Sequence, residues 1–202
     1  MTVTATEMQI SEEDKLRADF YGFLGALLSR PPSKELLKQT ASLSGDDSDL
    51  GAAINAMARV ATISKPSAVE SEFNALFIGL GRGELLPYAS FYLTGFLNEK
   101  PLAALRKEMA GLRIEREKNV FEPEDNIASL FEMMAGMITG RFGTAVPLDR
   151  QITFFNKHIA PWASHFFTDL EGAKNSVFYA SVGAAGSAFI EIEREAFRMN
   201  AG

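Results

Sequence analysis

Two stretches of the chain hold residue types that could do chemistry. The first is acidic: Glu122, Glu124 and Asp125 fall within four residues, around Pro123 and ahead of Asn126. Proline suits the first turn of a helix, so a helix is predicted to open at Pro123, with Asp125 and Asn126 in its first turn. One or two acids there would offset the helix dipole, at about 0.3–1 kcal/mol per charge. A third adds negative potential with little structural return. The chemistry that suits the set is recognition of a cation, a guanidinium above all, whose planar fork matches a carboxylate. The second stretch, Leu85 to Tyr92, is aromatic, with Tyr88, Phe91 and Tyr92 following Pro87. It has no helical or strand period. Irregular backbone must find partners for its own N–H and C=O groups. Aromatic side chains beside it can also wall a groove for an apolar peptide.

Catalytic readings are weaker. Gly79-Leu80-Gly81-Arg82-Gly83 lacks the Gly-Lys-Ser/Thr ending of a phosphate loop and follows a predicted helix rather than a strand. The absence of cysteine excludes disulfides, thiolate nucleophiles, iron–sulfur ligation and cysteine zinc sites. The two histidines, His158 and His165, are separated by Pro161, which breaks the helix face they would need to share. No Ser/His/Asp set stands out. A non-catalytic protein without metal or cofactor is expected.

The elements that must position these stretches read as one helix after another. Ser11 and Ser33 are N-cap candidates, and Pro31-Pro32 separates the helices that they open. Leu16, Phe20, Phe23, Leu24, Leu27 and Leu28 recur at helical spacing, as do Ile127, Leu130, Phe131, Met134 and Ile138. Further helices are predicted over 50–63, from Pro66, from Pro101, over 148–159, over 161–170 and over 175–198. The small residues from Ser181 to Ser187 suit close helix packing. No stretch alternates with period two, so no sheet is expected. The reading is an all-α, single-domain helical bundle over residues 11–202, after a flexible tail at 1–10.

Bulk properties narrow the setting. A chain of 202 residues with 47% hydrophobic residues can bury a core unaided. A net charge of −6 disfavours nucleic acid as a partner. No apolar run is long enough for a membrane span, and Met1 to Ile10 has neither the basic nor the apolar region of a secretory signal. A cytoplasmic location is expected.

Leu86-Pro87-Tyr88-Ala89-Ser90-Phe91-Tyr92, Glu122-Pro123-Glu124-Asp125-Asn126 and the His158 to Trp162 segment ahead of Phe166-Phe167 together resemble the TorD/DmsD/NarJ redox-enzyme maturation proteins. The first matches a Leu-Pro-Tyr-x-Ser-x-Tyr-like pattern. The second is similar to the family's Glu-Pro-x-Asp-His signature, with Asn126 where histidine is usual. The Tyr21-x-x-Leu24 helix and the last helix near Glu193 also fit. The resemblance implies an all-helical cytoplasmic chaperone. It would hold the N-terminal, often twin-arginine, signal of a molybdenum-cofactor enzyme until cofactor is inserted and before export. Clients of the dimethyl sulfoxide reductase, trimethylamine oxide reductase or formate dehydrogenase kind are implied, and family members can form homodimers. A NarJ-type adaptor for a non-exported enzyme is the alternative; a guanine-nucleotide hydrolase at Gly79–Gly83 is a weaker one. Carried onto this chain, the signal-binding residues would be Pro87, Tyr88, Phe91, Tyr92, Glu122, Pro123, Glu124, Asp125 and Asn126, with His158 and Trp162 as further candidates. Asp125, helped by Glu122 or Glu124, would pair with arginines; the aromatics would contact the apolar stretch. Asn126 cannot take up a proton as histidine can.

Overall fold

The structure, a computed structural model, describes residues 10–116 and 121–200. The tail expected over 1–10 lies outside the described residues except for Ile10. Among the described residues ten α-helices follow one another: α1 Glu12–Ser29, α2 Lys34–Ala41, α3 Asp49–Ile63, α4 Pro66–Phe73, α5 Ala89–Thr94, α6 Lys100–Leu112, α7 Ile127–Thr139, α8 Leu148–Phe154, α9 Ala163–Gly172 and α10 Phe178–Met199. No strand occurs among the described residues; one isolated antiparallel bridge joins Tyr88 and Asn126.

The helix starts follow from local chemistry. Ser11, Ser33 and Ser48 each accept a backbone N–H three residues on, from Asp14, Leu36 and Gly51. Pro66 opens α4 where its missing N–H costs nothing. The N-terminus of α10 is capped from a distance: the Glu72 carboxylate on α4 accepts the N–H groups of Val177, Phe178 and Tyr179.

α7 is the central element, with ten of its thirteen residues buried. It packs along α1, while α10 packs on α9 and α3, and α2 on α3. One apolar cluster runs from Ala18 to Phe197. The α9–α10 contact depends on glycine. A Cβ on Gly186 would lie 2.2 Å from the Phe167 ring, and one on Gly183 would lie 2.8 Å from the Glu171 backbone nitrogen. The small residues expected to permit close packing do so.

The first and last helices meet at a buried ion pair. Arg17 on α1 donates from Nε and Nη2 to the two carboxylate oxygens of Glu193 on α10, at 2.7 and 2.9 Å. The Tyr21 hydroxyl donates to the same carboxylate at 2.9 Å. Burial first, and then Glu193's negative charge, push the Tyr21 phenol well above its ordinary value. Glu193 is 1% exposed, so removing its cation leaves a buried charge uncompensated. Arg17→Ala is expected to cost about 3–5 kcal/mol in urea unfolding; a loss below about 1 kcal/mol would show that the pair does not hold the two helices together.

Candidate functional site

The two motifs singled out in the sequence meet through their backbones. Ile127 N–H donates to Pro87 C=O at 2.9 Å, and Ala89 N–H donates to Asp125 C=O at 3.0 Å. The Asp125 carboxylate completes the join: its Oδ2 accepts the Ser90 N–H at 2.7 Å and also the Ser90 hydroxyl. Asp125 is 1% exposed. It therefore cannot reach an arginine of an external segment as the sequence suggested; its charge organises the junction instead.

The same bridge moves the start of α7. The helix begins at Ile127 rather than Pro123, because the backbone of residues 125–127 is spent on pairing with residues 87–89. Asn126 is extended and serves as N-cap, its side-chain oxygen accepting Ala128 N–H at 2.9 Å. Asparagine is among the best N-caps, so at this position it does a job that needs no proton.

Beside the junction lies a cleft of about 570 Å³. Pro87, Tyr88, Glu122, Glu124 and Asn126 line it, and these are the expected site residues that the fold brings together. Its apolar lining comes from Leu28, Phe73, Phe77, Met109, Ile114 and Met133. The Tyr88 hydroxyl donates to Glu122 across 34 residues of chain. Burial and that carboxylate push the Tyr88 phenol up. Glu124 is engaged by Arg106, at 2.8 and 3.0 Å, and by Arg116 at 3.8 Å. Burial would raise its carboxyl, but the arginines hold it below the ordinary range.

Pro123 stands outside that lining, half-buried, where the chain enters the junction. Phe91 and Tyr92 also lie elsewhere. They fall in the short helix α5 rather than in irregular chain, because Ala89 and Ser90 are anchored by Asp125 and start a helical turn. Arg82 sits over the Phe91 ring, 5.2 Å from its centroid. Tyr92 packs against Trp162 with centroids 5.3 Å apart and donates to Asp169 at 2.9 Å. Trp162 is buried and donates its indole N–H to the His158 carbonyl. His158 is buried against Glu108, with Nε2 3.6 Å from its carboxylate. Both serve packing between helices, not the cleft.

Gly79–Gly83 is a tight reversal after a π-helical turn, Asn74–Ile78, which extends α4. Gly79 has φ 62°, and a Cβ there would lie 1.9 Å from the Arg82 carbonyl. The turn itself accounts for that glycine. The sequence reading missed Phe77, Met109 and Ile114 because α4 and α6 reach the cleft only through tertiary packing. It also missed Glu132, which lines the cleft from α7. One signal was visible: Glu132 is the sole charge between Ile127 and Gly140.

Two outcomes follow. Asp125→Ala leaves the buried Ser90 N–H and hydroxyl without their acceptor and should cost about 2–4 kcal/mol in urea unfolding; a change within about 0.5 kcal/mol would remove the clamp assigned to it. Burial, reinforced by the Lys157 charge and opposed by Glu108, holds the His158 imidazole below its ordinary value of 6.5. Stability tied to the neutral ring is complete above that unfolded value and is lost as pH falls below it. His158→Gln should flatten the stability change between about pH 7.5 and about pH 5.5, a window above the range where Glu108 and Glu124 titrate.

Comparison with known proteins gives the family. The family model described as nitrate reductase delta subunit matches residues 44–168. The chain is 25% identical over 211 residues to the chaperone protein TorD of Aliivibrio fischeri, covering 92% of this chain and 96% of that one. It is 24% identical over 229 residues to TorD of Colwellia psychrerythraea, covering 94% and 95%. A crystal structure from Archaeoglobus fulgidus, described as a redox enzyme maturation protein, superposes with a TM-score of 0.55 at 17% identity, over 90% of this chain and 95% of that one. That likeness speaks to the all-helical fold alone. With the family model spanning more than half of its length, the chain belongs to the nitrate reductase delta subunit family, whose TorD relatives are chaperones and not catalysts.

Proposed function

We propose that this chaperone binds the N-terminal signal segment of a molybdenum-cofactor oxidoreductase in the cleft beside the Tyr88–Asn126 bridge. It would hold that segment in the cytoplasm until cofactor is inserted and before export. The observation that carries the reading is the cleft itself, an apolar floor beside exposed carboxylates at the meeting point of two sequence motifs. A signal segment pairs basic residues with an apolar run, and the cleft offers surface for both. Tyr88 and Pro87 form part of one wall, with Phe77 and Ile114 completing the apolar lining.

The match to a nitrate reductase delta subunit model favours one second reading, an adaptor for an enzyme that is not exported. The cleft would serve either client, and the two readings differ in whether the bound N-terminus carries paired arginines.

Isothermal titration with the signal peptide of the oxidoreductase that copurifies with the chain tests the site. Ser129 is half-buried on the cleft face of α7, so Ser129→Arg puts bulk and a like charge where a basic segment would lie. It should weaken binding by about tenfold or more. Equal affinity in the variant would place the peptide elsewhere.

A further inference from the structure

The carboxylates at and beside the cleft are not equivalent. Asp125 is buried against Ser90, Glu124 is paired with Arg106 and Arg116, and Glu122 receives the Tyr88 hydroxyl. Glu115 and Glu132 are different. Both are exposed, line the cleft and make no ion pair among the described residues, but Glu115 lies past the end of α6 whereas Glu132 is held within α7.

No group in α7 pairs with the Glu132 charge. Glu132 lies mid-helix, away from the ends where a carboxylate would meet the dipole. Its neighbours three and four residues away are Ser129, Ala128, Ala135 and Gly136, which cannot pair with it. Its Cγ lies 3.5 Å from the Cβ position of Gly25 on α1, so its stem rests on a helix surface without a side chain. Met133 follows it in the cleft wall. Arg30 and Arg141 line the same cleft but follow the ends of α1 and α7, whereas Glu132 sits within its helix.

Resting on the cleft reading above, we propose that Glu132 is the carboxylate that selects a cationic side chain of the bound segment. A guanidinium suits it best. Two parallel N–H donors can meet the two oxygens of a carboxylate whose methylenes are packed and whose head is free. The neighbouring apolar wall lowers the local dielectric, so the pair is worth more than one on an open surface. Glu132 thereby takes the discriminating role that the sequence assigned to Asp125.

The test uses short synthetic peptides that place Arg-Arg, Lys-Lys or Gln-Gln before the same leucine-rich run, titrated against the full chain. Wild type should prefer Arg-Arg over Gln-Gln, and Glu132→Gln should lose about tenfold toward Arg-Arg while its affinity for Gln-Gln stays the same. Glu132→Lys should reverse the order, preferring Gln-Gln over Arg-Arg. If Glu132→Gln keeps the wild-type preference while Ser129→Arg abolishes binding, the cleft reading stands and the role of Glu132 is overturned. If Ser129→Arg changes nothing while the wild type binds, the cleft reading falls, and this inference with it. A wild type that binds no peptide overturns both. Glu132 is exposed, so matching thermal unfolding of Glu132→Gln and wild type confirms that affinity alone has changed.

Discussion

A single buried carboxylate holds the cleft face of this protein together. Asp125 accepts the N–H and the hydroxyl of Ser90, and around that contact two chain segments 35 residues apart exchange backbone hydrogen bonds. A buried charge is costly unless it is hydrogen-bonded, and here the donors are supplied by the start of α5. The consequence spreads outward. α5 begins where Ser90 is held, α7 begins where Asn126 leaves the bridge, and the cleft opens between them with Tyr88 and Glu122 at its edge.

The rest of the bundle keeps that face in place by similar long-range contacts from charged groups. Glu72 caps α10 from α4, and Glu84 accepts the N–H groups of Lys174 and Asn175, so the loop between α9 and α10 is tied to the segment leading to the cleft. Arg17 and Glu193 join the first and last helices. Two π-helical turns, Asn74–Ile78 and Phe155–Ile159, each insert one residue into a helical repeat at the end of α4 and α8. Such insertions shift the facing of every side chain after them. The first brings Phe77 and Ile78 to the cleft; the second brings His158 against Glu108.

Most of the helical architecture was legible in the residues. Serine caps, prolines at first turns and a 3.6-residue apolar period are local signals, and they mark α1, α2, α4 and α6 closely. The start of α7 was misread by four residues. Local propensity favours a helix from Pro123, but a backbone bridge to residues 87–89 competes for the same N–H and C=O groups and wins. The candidate site was legible in part. Pro87, Tyr88, Glu122, Glu124 and Asn126 do line one cleft, whereas Tyr92, His158 and Trp162 belong to an aromatic packing layer.

The sequence by itself determined that the chain is helical, that it lacks the cysteine chemistry of metal and redox sites, and that its aromatic and acidic motifs are its distinctive features. Those properties reside in composition and in contacts a few residues apart. Only the tertiary structure decided which acids are available. Asp125 and Glu124 carry the same charge as Glu132, but burial against Ser90 and pairing with two arginines engage the first two. Glu132, one carboxylate in an apolar helix, stays exposed, with its Cγ beside Gly25 on α1 and no ion-pair partner among the described residues. Availability depends on what lies across the gap in space, and no spacing along the chain encodes that.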